Sequence, residues 1–405
     1  MAAISETPPE VFRLSQLIYD TRYRSLTIQV VAFILIMLGL WEIAGNTVYN
    51  LNALGKDIDF GFLGNRAGYD INQRLVEYTS DSTHGRAALV GILNTLLVAF
   101  LGCITATILG IFAGVLRLSK NWLVARLMAV YVEGFRNIPL LLWIVIIFAV
   151  MTEATPQPRD FRGPDAEASM ILFDSVAITN RGIFIPAPVW GDGALILGFV
   201  FILSLVGIWA YRRHARHTQI KTGEQLPVLS VSIAILVLPT LLVYFVLGRP
   251  VTLDYPTLGG FNFSGGIQLR NPLIALWFAL SLYTGAFIAE IVRAGILAVS
   301  KGQTEAAHAL GLRPSRTMNL IILPQALRVI IPPLISQFLN LTKNSSLGIA
   351  VGYMDARSTL GGITVNQTGR ELEGMLLLGI FYLVTSLIIS GAMNVYNSSV
   401  KLKER

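Results

Sequence analysis

The sequence predicts an all-α polytopic membrane protein with about eight transmembrane helices, and three observations carry that reading. Of its 405 residues, 54% are hydrophobic and only 14% charged. A soluble chain carries roughly a quarter charged residues, so too few polar side chains exist here to cover a water-facing surface. Mean hydropathy of +0.63 agrees. Stretches of about 20 apolar residues recur, each long enough to cross a hydrocarbon core of roughly 30 Å as a helix.

The spans fall near 27–48, 88–116, 129–151, 194–210, 228–247, 273–298, 327–350 and 375–397. The first reads as a retained anchor. Glu6, Glu10 and Asp20 precede it, where a secretory signal would be basic, and no small-residue cleavage site follows. With residues 1–26 inside, Lys and Arg exceed Asp and Glu in the inner connecting segments, and the outer segments are acidic. That asymmetry places both termini, including the tail 398–405, in the cytoplasm. It also explains the net charge of +7 without nucleic acid as a partner. Arg212, Arg213, Arg216 and Lys221, after the fourth span, give the clearest inner signal. They read as a topology anchor ahead of a specific anionic-lipid site.

Two outer segments, 49–87 and 152–193, are rich in Gly, Asp and Asn. The second carries Pro156, Pro158, Pro164, Pro186 and Pro188. They read as compact solvated loops with short interfacial helices, available to an external partner. Cys103, the one cysteine, lies in an apolar run, which excludes an intrachain disulfide and favours a small buried side chain.

The most informative stretch follows the sixth span: Ser300-Lys-Gly-Gln-Thr-Glu305-Ala-Ala-His-Ala-Leu-Gly311-Leu-Arg-Pro314, then Ile321-Ile-Leu323-Pro324. Ser300 with Gln303 fits a capping box, Thr304–Leu310 a helix, and Gly311 its C-terminal stop. Arg313-Pro314 turns the chain into a second short helix that leads to Leu323-Pro324. The result is an inner helix–turn–helix, either a re-entry segment of no special function or a rigid knob suited to taking force from a soluble partner.

Glu305-Ala306-Ala307, with Gly311 four residues beyond and Ile321-x-Leu323-Pro324, resembles the EAA loop of ABC-importer permeases. Tyr131-Val-Glu133-Gly-Phe-Arg136-Asn-Ile-Pro139-Leu-Leu, Ala289-Glu290-Ile-Val-Arg293-Ala-Gly295 and Gln337-Phe-Leu-Asn-Leu-Thr-Lys343-Asn344-Ser345-Ser346-Leu347 resemble stretches of the polar-amino-acid permeases, apart from Asn137, Ile138, Ala294 and Ser336. The resemblance covers roughly 88–151 and 273–397. It implies a type I ABC-importer permease core with extra helices: the first at 27–48 and a pair inside an insertion at 152–272. That pattern is similar to the longer permease subunit of general L-amino-acid transporters. The resemblance further implies an L-amino-acid importer in a bacterial inner membrane, and an EAA coupling loop at 300–325 whose Glu305, Ala306, Ala307 and Gly311, followed by Leu323 and Pro324, meet a separate ATPase. Its partners would be a second homologous permease, two ATPase copies and a periplasmic amino-acid-binding protein, with 49–87 a periplasmic loop.

Glu42, Glu133, Arg136, Glu290, Arg293 and Lys343 fall inside spans, where charge is costly and faces protein or water. Glu133–Arg136 and Glu290–Arg293 are spaced i, i+3, so each pair can meet on one helix face. Both read as structural ion pairs bracing the coupling region. Lys343 lies about 16 residues into its helix, past mid-depth, among Thr342, Asn344, Ser345 and Ser346. That polar break either lines a path with Lys343 facing a substrate carboxylate, or is a helix–helix hydrogen-bond cluster. Thr284, Asn94 and Thr95 are further path candidates.

No catalytic constellation is visible. The chain lacks a G-x-x-x-x-G-K-[ST] phosphate loop, so ATP and Mg would belong to the partner ATPase. It also lacks H-E-x-x-H and G-x-S-x-G, and its four histidines show no metal spacing. A stand-alone ion-coupled transporter or channel is the alternative reading, weakened because no internal repeat is visible. A membrane scaffold is a third.

Overall fold

A computed structural model describes residues 16–55, 57–163 and 166–400. Most of the N-terminal segment 1–26, Pro164 and the end of the tail lie outside these residues. The spanning helices are α1 (Thr21–Ala53), α2 (His84–Leu116), the pair α3 (Trp122–Asn137) and α4 (Leu140–Glu153), α5 (Ala194–Thr222), α6 (Val228–Val246), α7 (Asn271–Leu297), the segment Pro314–Val351 and α10 (Glu371–Val400). With α3 and α4 taken as one broken span, the described residues hold eight.

That pair corrects the single straight helix expected at 129–151. The two halves meet at 108°. Pro139 has no N–H and forces its predecessor out of the helical region. Ile138 accordingly sits at φ −105°, ψ 135°.

The hub is α7, the most buried of the spans. It is packed by α2, α3, α4 and Pro314–Val351. Small residues set the closest approach: a Cβ on Gly110 would stand 2.5 Å from the Ile288 side chain, and one on Gly114 2.6 Å from the Ala289 carbonyl oxygen. Gly110-x-x-x-Gly114 is the spacing that lets two spanning backbones touch. Val98, Ala106, Leu276, Leu280, Ile288, Ile330 and Leu341 complete the core around that seam. None of the described α1 side chains is buried, and α5 and α6 pack on each other instead of on this core.

The outer segments hold sheet as well as loop, an addition to the all-α expectation. Strands β1 (Ala177–Thr179), β2 (Gly182–Ile185) and β7 (Ile267–Leu269) form one antiparallel sheet; β3 (Ala187–Trp190) pairs with β4 (Val251–Asp254), and β5 (Thr257–Gly259) with β6 (Asn262–Ser264). Since β2 and β3 precede α5 while β4 and β7 follow α6, the ladders clasp the base of the inserted helical hairpin. Phe184 and Phe263, with Phe161 edge-on at 5.2 Å, give the sheets a small apolar core of their own.

Candidate functional site

α7 ends at Leu297, and helix α8 (Lys301–Ala309) follows after a short turn. The expected capping box does not form: Ser300 is the N-cap residue with no side-chain hydrogen bond, and only its carbonyl accepts from Gln303 N–H, at 3.1 Å. Gly311 does stop the helix. It stands at φ +73°, its N–H donates to His308 O at 2.9 Å, and Leu312 N–H reaches back to Ala307 O at 3.0 Å. These two bonds are a Schellman motif.

The second arm is not a separate short helix. Pro314–Thr317 runs through a π-helical turn, Met318–Ile322, straight into α9 (Leu323–Asn344). Pro324 cannot donate to the carbonyl four residues back, and the π turn takes up that break. Gln325 Nε2 donates to Ile321 O at 3.1 Å within this junction.

Of the residues expected to meet an ATPase, Glu305, Ala306, Gly311 and Leu323 are exposed and Pro324 is half-buried. Ala307 is 1% exposed. Its side chain therefore packs within this chain, where its small size lets α8 lie against the second arm. Leu310 and Leu320 stand 80% and 61% exposed on the same knob. Sequence reasoning passed over both; a leucine beside the helix-stopping Gly311 was the available signal.

Behind the knob, the ends of three helices on the α8 side are joined by charge. Glu290 on α7 accepts from Arg293 Nη2 at 2.7 Å, as the i, i+3 spacing predicts. It also accepts from Arg117, the C-cap residue of α2. Arg117 reaches Glu133 on α3 as well, at 3.8 Å. The expected Glu133–Arg136 pair is therefore absent: Glu133 turns to Arg117, and the Arg136 guanidinium lies 5.2 Å over the Phe287 ring. A guanidinium with five donors can hold two carboxylates, so Arg117 is the centre of the cluster. Hydropathy had placed it in a connecting segment. A second charge read past is Arg328 on α9, whose Nε and Nη2 are buried with no hydrogen-bond partner among the described residues.

The residues of the polar break are spread out. Lys343 is exposed in the last turn of α9, a position where a cation complements the helix C-terminus. It is residue 30 of the 38 in Pro314–Val351, past mid-depth as the spacing suggests and nearer still to the far end, because the helix starts earlier than 327. Asn344 follows it, half-buried. Ser345 Oγ donates to Thr342 O and Ser346 Oγ to Lys343 O, each at 2.8 Å, as the α-helix tightens into a 3-10 turn.

Asn94 and Thr95 are fully buried and hold backbone. Asn94 Nδ2 donates to Gln73 O at 2.7 Å and Met354 O at 2.9 Å, and Thr95 Oγ accepts from Ala356 N–H at 3.0 Å. They clamp the segment after α9, in which Asp355 caps a turn by accepting from Ser358 N–H and Oγ at 2.8 and 2.9 Å. Burial pushes the Asp355 carboxyl above its ordinary range. Thr284 is buried in α7 beside Gly285, where that helix meets Tyr131 of α3. The described residues contain no cluster of His, Cys, Asp and Glu able to hold a metal.

Residues 225–402 match the family described as binding-protein-dependent transport system inner membrane component. The glutamate/glutamine/aspartate/asparagine transport system permease protein BztB of Rhodobacter capsulatus is 56% identical over the whole length of both chains. The general L-amino acid transport system permease protein AapQ of Rhizobium johnstonii is 45% identical over 96% of this chain and 94% of that one. The putative amino-acid ABC transporter permease protein YhdX of Escherichia coli is 44% identical over 89% and 90%. Identity of this order, end to end, covers the inserted hairpin and sheets as well as the core. The chain belongs to the family of binding-protein-dependent transport system inner membrane components, among its transport permeases.

Proposed function

We propose that this chain is the permease subunit of an ATP-driven importer of L-amino acids in a bacterial inner membrane, and that α8 with its Gly311 turn docks a separate ATPase. One observation carries the reading. A stiff, capped helix bearing Glu305 and Ala306 outward stands between the hub helix α7 and the span that packs on it. A displacement of α8 is then passed to both without slack, since α7 and α9 touch closely at Gly295 and Ile330. The charge cluster of Arg117, Glu290 and Arg293 ties α2 to the same end of α7. Amino acids as cargo are what the names of the full-length relatives support; ATP and Mg are assigned here to the partner ATPase. The assembly contains a second, similar permease, two ATPase copies and an external binding protein, with both termini on the ATPase side. Lys343, Asn344, Ser345, Ser346 and Thr284 face or flank the path, with Asn94 and Thr95 supporting its outer wall.

Glu305→Lys in proteoliposomes of the co-purified complex tests the docking. ATP-driven uptake should fall at least tenfold while insertion and folding persist. Normal uptake would sink the docking role. Gradient-driven flux by the purified chain alone would instead favour a stand-alone transporter.

A further inference from the structure

The two helices of the inserted hairpin differ in length. The β3–β4 ladder holds both at one base, with Trp190 paired to Val251. From that base α5 runs for 29 residues and α6 for 19, about 43 Å and 28 Å. The last three turns of α5, about ten residues, therefore stand beyond its partner helix. They lie on the α8 side, because α5 and α7 both start from the sheets.

One face of α5 changes character along its length. Phe199, Ile202, Val206, Trp209, Arg213 and Arg216 recur every three or four residues, the spacing of a single helix face, and all six are exposed. Beyond Val206 the face opens into a groove of about 580 Å³, lined by Trp209, Arg212, Arg213, Arg216, His217 and Ile220. The Arg213 guanidinium lies 5.6 Å over the Trp209 ring. That stack holds its plane and leaves its N–H edge free. None of the three arginines joins an ion pair among the described residues. Glu224 is the one acidic residue between Asp192 and Asp254. Three neighbouring guanidiniums repel one another and suit an anion that each can hold by two N–H bonds.

Depth selects the anion. Counted from Ala194, Trp209 lies about 22 Å along α5, and Arg212 to Arg216 about 27–33 Å. The arginines thus emerge where a hydrocarbon core of roughly 30 Å ends. That is the level of lipid phosphates, and tryptophan favours the same boundary. The apolar stripe from Phe199 to Val206 leads up to the arginines and gives an acyl chain a track, which a soluble anion would not use. A topology anchor needs positive charge alone; it needs neither the guanidinium fork, nor a stacked tryptophan, nor one shared face. We propose that the α8-side end of α5 binds one anionic phospholipid, its phosphate between Arg212, Arg213 and Arg216 and an acyl chain along Phe199, Ile202 and Val206. The lipid then fixes the hairpin, whose helices pack on each other and not on the core.

The test uses the co-purified transporter in detergent, probed with radiolabelled dioctanoyl phosphatidylglycerol and with a phosphatidylglycerol that carries a photoreactive headgroup. Saturable binding is expected, displaced by unlabelled phosphatidylglycerol but not by dioctanoyl phosphatidylcholine or by glycerol 3-phosphate. Photoadducts should fall within 209–220. Arg213→Lys combined with Arg216→Lys keeps every charge, and with it the topology. It should still weaken binding about fivefold or more, since each fork loses its second bond. Trp209→Leu, which leaves all the cations in place, should weaken it severalfold. Wild-type affinity in either variant overturns the proposal, as do photoadducts confined to other segments. The adduct map needs no variant, so it decides even where a substitution lowers the yield. Equal displacement by glycerol 3-phosphate overturns the proposal in favour of a free phosphoester. Loss of the ATPase from the lysine variant, with lipid binding intact, overturns it in favour of a protein partner.

Discussion

Replacing Gly311 isolates a backbone effect, because a Cβ there would meet nothing within 4 Å. At φ +73° the left-handed conformation costs an ordinary L-residue roughly 1–2 kcal/mol. Asn pays much less of this, since its short amide tolerates the region. If the turn opens instead, the bonds from Gly311 N–H to His308 O and from Leu312 N–H to Ala307 O are lost, at about 1 kcal/mol each. Gly311→Val should therefore lower the population of the docking-competent knob by about 1–2 kcal/mol, or roughly fivefold to thirtyfold. Gly311→Asn should stay within about threefold of wild type. The assay is substrate-stimulated ATP hydrolysis and uptake by the reconstituted complex, with thermal unfolding as a control that should barely move for this exposed helix end. Equal impairment by Val and Asn would refute the reasoning, because the defect would then come from side-chain volume against a partner and not from the turn.

Glu290→Gln leaves Arg117 and Arg293 facing each other without their shared carboxylate. It should cost about 2 kcal/mol, seen as a lower unfolding temperature in detergent; Arg117→Gln should do the same, and wild-type stability in both would contradict the brace. Gly114→Leu places a side chain where a Cβ already stands 2.6 Å from the Ala289 carbonyl, so the α2–α7 seam should open and folded yield fall severely; a normally folded variant would mean the seam is loose. Burial holds the Asp355 carboxyl above its model-peptide value of 3.8. An acid raised on folding stabilises most when protonated, so its contribution should decline as pH climbs from about 4 through the folded value. Asp355→Asn should flatten that dependence at little cost, while Asp355→Ala should lose the Ser358 bonds and about 2 kcal/mol; identical pH profiles for wild type and Asp355→Asn would count against this.

The spans were legible because a membrane makes length and apolarity nearly sufficient. Gly311 was legible because a left-handed helix stop strongly favours glycine. The bend at Ile138-Pro139 was visible as a proline, but the apolar run from 129 to 151 continues through it and hid the 108° turn. The span expected from 327 begins at Pro314 instead, because the π turn Met318–Ile322 joins the second arm to it without a break, which carries Lys343 still further along the helix. The sheets escaped notice because their strands have three or four residues, and Ala187 pairs with Asp254 across the whole inserted hairpin. The β1–β2 turn at Asn180-Arg181 was the one local sign. Arg117 was missed for a related reason, since its partner Glu290 lies 173 residues away.

Cross-linking from α8 tests the central claim most directly. With Cys103 replaced by serine, a cysteine introduced at exposed Ala306 should cross-link to the ATPase subunit of the purified complex, and ATP should change the yield. A cysteine at Ala307, 1% exposed within this chain, should not. Free labelling of the Ala306→Cys site while the ATPase is bound, with no cross-link formed, would contradict the account.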